Sequence, residues 1–119
     1  MLMRILIVDD NGRVRRGVRA ILTSDANCEV CGEAVDGADA LGKARELQPD
    51  LILLDVSMPG PSGLETARLL RQELPNVKVA IMSQHDPKLL LPRAIEAGAQ
   101  ACVDKSRLDS DLLATILSI

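Results

Sequence analysis

Five short runs of aliphatic and β-branched residues recur along the chain, each followed by a stretch whose apolar residues return at helical spacing. This alternation narrows the fold more than any other feature. Repeated strand-then-helix units build a parallel sheet, because a parallel neighbour is reached through a crossover and the crossover is usually a helix. Strands are expected over Arg4 to Val8, Glu29 to Ala34, Leu51 to Asp55, Lys78 to Met82 and Ala101 to Asp104. Leu51-Ile52-Leu53-Leu54 shows no polar alternation, as a central strand covered on both faces requires. The expected fold class is α/β, a five-stranded parallel sheet with helices on both faces.

The intervening helices have readable faces and ends. Val14, Val18, Ile21 and Leu22 share one side of the first; Ala38, Leu41 and Arg45 mark the second, which contains Gly42. Leu64, Ala67, Leu70 and Leu74 line the third, which opens after Ser62-Gly63 and stops before Pro75. Ala94, Ile95 and Ala97 belong to the fourth, closed by Gly98. Asp109 or Ser110 is expected to cap the fifth, with Leu112, Leu113, Ile116 and Leu117 on its buried side.

The fourth helix carries a conflict. Asp86 as cap and Pro87 at the first helical position suit a start there, but Pro92 then falls deep in the helix. A proline in a regular helix interior costs on the order of 3 kcal/mol. The sequence therefore predicts a shortened or kinked helix starting nearer Leu89 to Leu91, with Gln84 to Leu90 partly irregular and mobile.

A chain of 119 residues, 47% of them hydrophobic, is long enough for one core without disulfides or a structural metal, so residues 1–119 read as a single domain. The chain stops within or at the end of the fifth helix, which suits either a stand-alone domain or a piece of a longer protein. No apolar run is long enough to span a bilayer, and the expected location is the cytoplasm. A net charge of -3 gives no electrostatic reason for this segment to bind nucleic acid, and the absence of Phe, Tyr and Trp removes any base-stacking platform. Cys28 and Cys31 form a C-x-x-C, but on a strand positions three apart face opposite ways. With three cysteines and one histidine in all, neither a disulfide framework nor a zinc quartet is expected.

In open parallel sheets ligands bind beyond the carboxyl ends of the strands. There the chain places Asp9-Asp10, Asp55, Ser83 and Lys105. Three carboxylates brought together repel one another, and a hard cation with oxygen ligands, Mg²⁺ or Mn²⁺, relieves that repulsion. A carboxylate beside such a cation can attack a phosphoryl donor while a lysine neutralises the transferring oxygens. Asp55, on the central strand, is the best-placed nucleophile. Taken singly, Asp9 and Asp10 also suit a helix cap, Ser83 a loop hydroxyl and Lys105 a solvated charge; their coincidence at strand ends is what points to a site.

Over essentially its whole length the chain resembles a response-regulator receiver domain of the CheY-like superfamily. The motifs are Ile5-Leu6-Ile7-Val8-Asp9-Asp10, Leu53-Leu54-Asp55-Val56-Ser57-Met58-Pro59-Gly60-Pro61-Ser62-Gly63 and Asp104-Lys105. Ile81-Met82-Ser83-Gln84-His85-Asp86 and Glu96-Ala97-Gly98-Ala99 resemble the LuxR/NarL-type members. The resemblance implies a flavodoxin-like (βα)5 fold with strand order 2-1-3-4-5. It implies Asp55 as phosphoacceptor, Asp10 as direct metal ligand, Asp9 as a ligand through water and the Ser57 carbonyl as the third protein ligand. Lys105 matches the lysine that contacts the phosphoryl group, and Ser83 the hydroxyl that swings toward it.

The implied activity is self-phosphorylation and slow dephosphorylation within a two-component phosphorelay, not classical enzymology. The implied donor is a phosphohistidine on a sensor histidine kinase or histidine phosphotransfer protein. A homodimer formed on phosphorylation, and DNA reached through a C-terminal domain absent here, are further partners that the resemblance allows. Arg13, Arg15, Arg16 and Arg19 form a basic outer face on the first helix, which the resemblance makes a docking face for the donor; a solvated basic face is the alternative. Two departures stand out. Cys102 replaces the family's usual aromatic switch residue, and Ser106 follows the lysine where many members have Pro. Switching is then expected to order or shift the segment after Ser83.

A degenerate receiver serving only as an interaction module would normally have lost one of the five site positions, and none is lost. An Asp-nucleophile phosphatase usually needs a second acid where Ser57 stands. No P-loop is present for nucleotide hydrolysis.

Overall fold

A computed structural model describes residues 2–57, 63–84 and 86–119. The expected Met58-Pro59-Gly60-Pro61-Ser62 stretch and His85 lie outside the described residues. Strands β1 (Met3–Val8), β2 (Cys28–Ala34), β3 (Leu51–Asp55), β4 (Lys78–Ser83) and β5 (Ala101–Asp104) alternate with helices α1 (Gly12–Thr23), α2 (Gly37–Leu47), α3 (Gly63–Glu73), α4 (Pro87–Glu96) and α5 (Leu108–Leu117). The sheet is parallel, in the order β2-β1-β3-β4-β5, as the resemblance implied.

The three inner strands are sealed on both sides, which is why their sequences run apolar without a break. Ile5, Ile7, Leu51, Leu53, Ala80 and Met82 face α1 and α5, with Val18, Leu22, Leu112 and Ile116 packed against them. Leu6, Val8, Ile52, Leu54, Val79 and Ile81 face the other way, onto Ala40, Ala44, Ala67, Leu70 and Ala94. With no Phe, Tyr or Trp in the chain, both layers are built mainly from aliphatic side chains and alanine, with Met82 and Cys28 in the first.

Cys28 packs in the first layer and Cys31 against the second, so the C-x-x-C thiols diverge as strand geometry demands. A bulge interrupts the pairing at this point: Ile5 pairs with Val30 and Leu6 with Gly32, leaving Cys31 without a register partner.

Several helix details depart from the sequence reading. The buried side of α2 is Gly37, Ala40 and Ala44, with Leu41 packed beside them, while Ala38 is exposed. Alanines occur on both sides of that helix, and the small residue gave no phase. Ile95 and Leu117 are 58% and 47% exposed. Neither Asp109 nor Ser110 caps α5. A 3-10 turn over Lys105–Arg107 leads straight into the helix, so Arg107 is the cap position and makes no side-chain cap bond.

The fourth helix is neither shortened nor delayed. It begins at Pro87, with the Asp86 carboxylate accepting from Lys88 N at 2.9 Å, and runs through Pro92 to Glu96. Pro92 is exposed. The Lys88 carbonyl that its missing N–H would have satisfied lies on the exposed part of the helix, where solvent can take the bond. The helix then closes in a Schellman arrangement: Gly98, at φ +97°, donates to Ile95 O at 2.9 Å and Ala99 to Ala94 O at 2.9 Å.

Candidate functional site

At the carboxyl edge of the sheet the chain leaves β1 through Asp9 and Asp10. Asp9 N still donates to Ala34 O at 3.1 Å, continuing the pairing with β2 by one residue. The Asp9 side chain turns inward: Oδ1 accepts from Asn11 N at 2.9 Å, and Asn11 in turn caps α1, its Oδ1 accepting from Arg13 N at 2.9 Å. An acidic residue and a helix cap are thus locked together by two short turns. Asp10 is exposed.

Asp55 ends β3 and is 1% exposed; Asp9 is wholly buried. Lys105 reaches both. Its Nζ lies 2.8 Å from Asp9 Oδ2 and 3.3 Å from Asp55 Oδ2. Burial pulls the lysine pKa down, but the hydrogen bond to Asp9 and the charges of Asp55 and Asp9 outweigh it, and the ammonium is held above its ordinary value. Burial pushes the Asp9 carboxyl up, with the Asp55 charge adding to it and the Lys105 and Asn11 contacts opposing it.

Ser57 donates twice to Asp55 Oδ1, from N at 3.0 Å and from Oγ at 2.6 Å. Ser106 treats Asp104 the same way, at 2.9 Å and 2.7 Å. An Asp-x-Ser turn therefore follows β3 and another follows β5, and the second sets the loop that carries Lys105. Ser83, fully buried, ends β4 one residue beyond Met82, the register partner of Asp55. All five strand-end residues stand at one edge. Lys105 itself opens the 3-10 turn rather than ending β5.

Carboxylate oxygens from Asp9, Asp10 and Asp55 all lie within 4.8 Å of one another. Asp9 Oδ2 is buried, with the Lys105 ammonium 2.8 Å away. Three acids against one lysine leave excess negative charge, and this all-oxygen donor set suits a hard divalent cation.

The four arginines of α1 divide into two kinds. Arg13 and Arg16 are exposed. Arg15 Nε and Arg19 Nη2 are engaged with Glu33, at 2.9 Å and 2.7 Å, so two of the four basic residues expected to dock a donor are also ion-paired within the domain. The sequence reading missed Glu33. The available signal was its place one residue before the end of β2, on the side facing α1. Beside Lys105 an open hollow of about 320 Å³ is lined by Val14, Gln84, Ser106 and Leu108.

Residues 5–117 match the family described as the response regulator receiver domain. The chain belongs to that family. It is 34% identical over 116 residues to the response regulator protein VraR of Staphylococcus saprophyticus, across 98% of this chain and 56% of that protein. A LuxR-family two-component response regulator from Aurantimonas sp. superposes with a TM-score of 0.93 at 33% identity, over 99% of this chain and 84% of that one. The signal receiver domain of a NarL regulator from Mycobacterium tuberculosis gives 0.89 at 31% identity, over 98% and 94%. The chain spans about half the length of the curated relatives it matches. Receiver domains of this kind are signalling modules of two-component systems, not classical enzymes. Among the described residues no helix is long and apolar enough to cross a membrane.

Proposed function

We propose that this receiver domain accepts a phosphoryl group on Asp55 from the phosphohistidine of a sensor histidine kinase or a histidine phosphotransfer protein. The observation that carries the reading is the buried Asp55 carboxylate with Lys105 Nζ at 3.3 Å and oxygens of Asp9 and Asp10 within 4.8 Å. Asp10, Asp55 and the Ser57 carbonyl would hold Mg²⁺ or Mn²⁺ directly, and Asp9 through water. When bound, the cation neutralises charge on the phosphoryl oxygens. The Asp55 carboxylate attacks phosphorus, the P–N bond to the donor histidine breaks, and an aspartyl phosphate forms. Lys105 offers its ammonium to a phosphoryl oxygen, and Ser83 its hydroxyl after transfer. The domain thereby supplies the residues for its own phosphorylation and for the slow hydrolysis that reverses it.

Residues 1–119 form the receiver unit in this reading, working in the cytoplasm where a kinase partner can reach it. In a longer regulator of LuxR/NarL type it would control a C-terminal DNA-binding domain, with homodimerisation on phosphorylation as one route. Arg13, Arg15, Arg16 and Arg19 on α1 would dock the donor protein, with Arg13 and Arg16 both exposed. Charge reversal at both should slow transfer from a phosphorylated histidine phosphotransfer protein and leave labelling by acetyl phosphate intact; equal effects on both donors would count against docking.

Fluorine NMR with beryllofluoride, a phosphoryl mimic, tests the site. A bound signal should appear with Mg²⁺ and vanish in Asp55→Asn. A bound signal that persists without divalent cation, or in that variant, would overturn the assignment.

A further inference from the structure

Arg15 divides its donors between two elements. Nε gives a 2.9 Å bond to Glu33 Oε1 on β2, and Nη1 a 2.6 Å bond to the backbone carbonyl of Asp9. Its side chain is only 19% exposed. Glu33 is braced from the other side by Arg19, whose Nε and Nη2 reach Oε2 at 2.9 Å and 2.7 Å. The guanidinium therefore sits in a fixed orientation, and its short, charge-assisted bond to the carbonyl is directional.

That carbonyl is the hinge between two acids of the cluster. The oxygen belongs to the planar unit joining Asp9 to Asp10, so holding it sets the direction in which Asp10 leaves the strand. The Asp10 side chain is exposed and takes part in no ion pair found among the described residues, so its aim must come from its backbone. We propose that Arg15 is a positioning residue for the cation site: by clamping the Asp9 carbonyl it aims the Asp10 carboxylate toward the oxygens of Asp9 and Asp55. The proposal rests on the reading of this acidic cluster as a divalent-cation site.

Charge alone argues for the opposite effect. A guanidinium close to three carboxylates repels an arriving cation, so an Arg15 acting only through its charge would weaken cation binding, and its removal would tighten it. An Arg15 acting through the hydrogen bond has the reverse sign. The direction of the change therefore separates the two.

The test is titration of the metal-free, unphosphorylated chain with Mn²⁺ alone, free Mn²⁺ being read by its electron paramagnetic resonance signal. Circular dichroism sets a temperature at which every variant is folded. Arg15→Met should loosen Mn²⁺ by about tenfold, the order usual for a group that orients a ligand. Arg15→Lys keeps a donor within reach of the carbonyl and should stay close to wild type. Arg19→Met loses an ion pair with Glu33 but not the carbonyl bond, and should also stay close to wild type. Glu33→Gln, which slackens the brace, should loosen Mn²⁺ by a smaller factor. Unchanged or tighter binding by both Arg15→Met and Glu33→Gln would overturn the proposal, as would equal loosening in Arg15→Met and Arg19→Met. Absence of saturable binding by the wild type is a separate result, which removes the cation site and the proposal with it.

Discussion

Lys105 Nζ lies 2.8 Å from Asp9 Oδ2, with the two side chains 9% and 0% exposed. An ion pair so deeply withdrawn from water balances a large desolvation cost against attraction, and losing one partner leaves the other charge uncompensated. Lys105→Met should therefore lower the stability of the metal-free domain by about 3 kcal/mol, the usual scale for breaking a buried pair. Asp10→Asn should do the reverse, raising metal-free stability by about 1 kcal/mol, because it removes one of three mutually repelling acids. Urea unfolding in a chelator checks both, and a stability gain in the lysine variant would contradict the account.

Glu33 gives a pH dependence of defined sign. The hydrogen bond from Arg19 holds its carboxyl below the ordinary 4.5, Arg15 adds to this, and partial burial opposes it. A carboxyl lowered in the folded state contributes stability that is fully present above its unfolded pKa and is lost as pH falls through the folded one. The stability difference between wild type and Glu33→Gln should be constant near neutrality and shrink as pH drops below 4.5. Asp9, raised by burial, acts with the opposite sign but is present in both proteins and cancels. A difference that grows on acidification would contradict the pairing.

Two glycines should respond oppositely to alanine. A Cβ at Gly63 would press on Val56 Cα and stand 2.9 Å from Asp55 O, both backbone atoms where the chain leaves β3. Gly63→Ala should cost about 2 kcal/mol through that overpacking. At Gly42, within α2, a Cβ would meet nothing within 4 Å. Gly42→Ala should gain about 0.5–1 kcal/mol, the helix-propensity difference. Thermal melts of the two variants moving in the same direction would contradict this.

The sequence made the site legible because strand parity and parallel topology do most of the work. Once five strands run the same way, Asp9, Asp10, Asp55, Ser83 and the start of the Lys105 turn must share an edge. What escaped reading depends on partners far away in sequence or on competing caps. Arg15 and Glu33 are 18 positions apart and meet because α1 packs across β2. The start of α5 is obscured in the sequence because Asp109 and Ser110 look like caps, whereas the 3-10 turn begins the coil at Lys105. Pro92 suggested a broken fourth helix, yet Asp86 supplies the cap at its start and the proline's lost bond falls on an exposed face. The pair of hydrogen bonds from Ser57 to Asp55 is hidden in an ordinary Asp-x-Ser spacing, whose second copy at Asp104 and Ser106 organises the Lys105 loop.

The central claim is that Asp55 is a cation-dependent phosphoacceptor, and intact-mass measurement after incubation with acetyl phosphate tests it most directly. The wild-type chain should gain one phosphoryl group with Mg²⁺ or Mn²⁺ present and none in excess chelator. Asp55→Asn should gain none under either condition, and Asp10→Ala should lose labelling through loss of the cation. Labelling of Asp55→Asn at the wild-type level, or of the wild type in chelator, would contradict the claim.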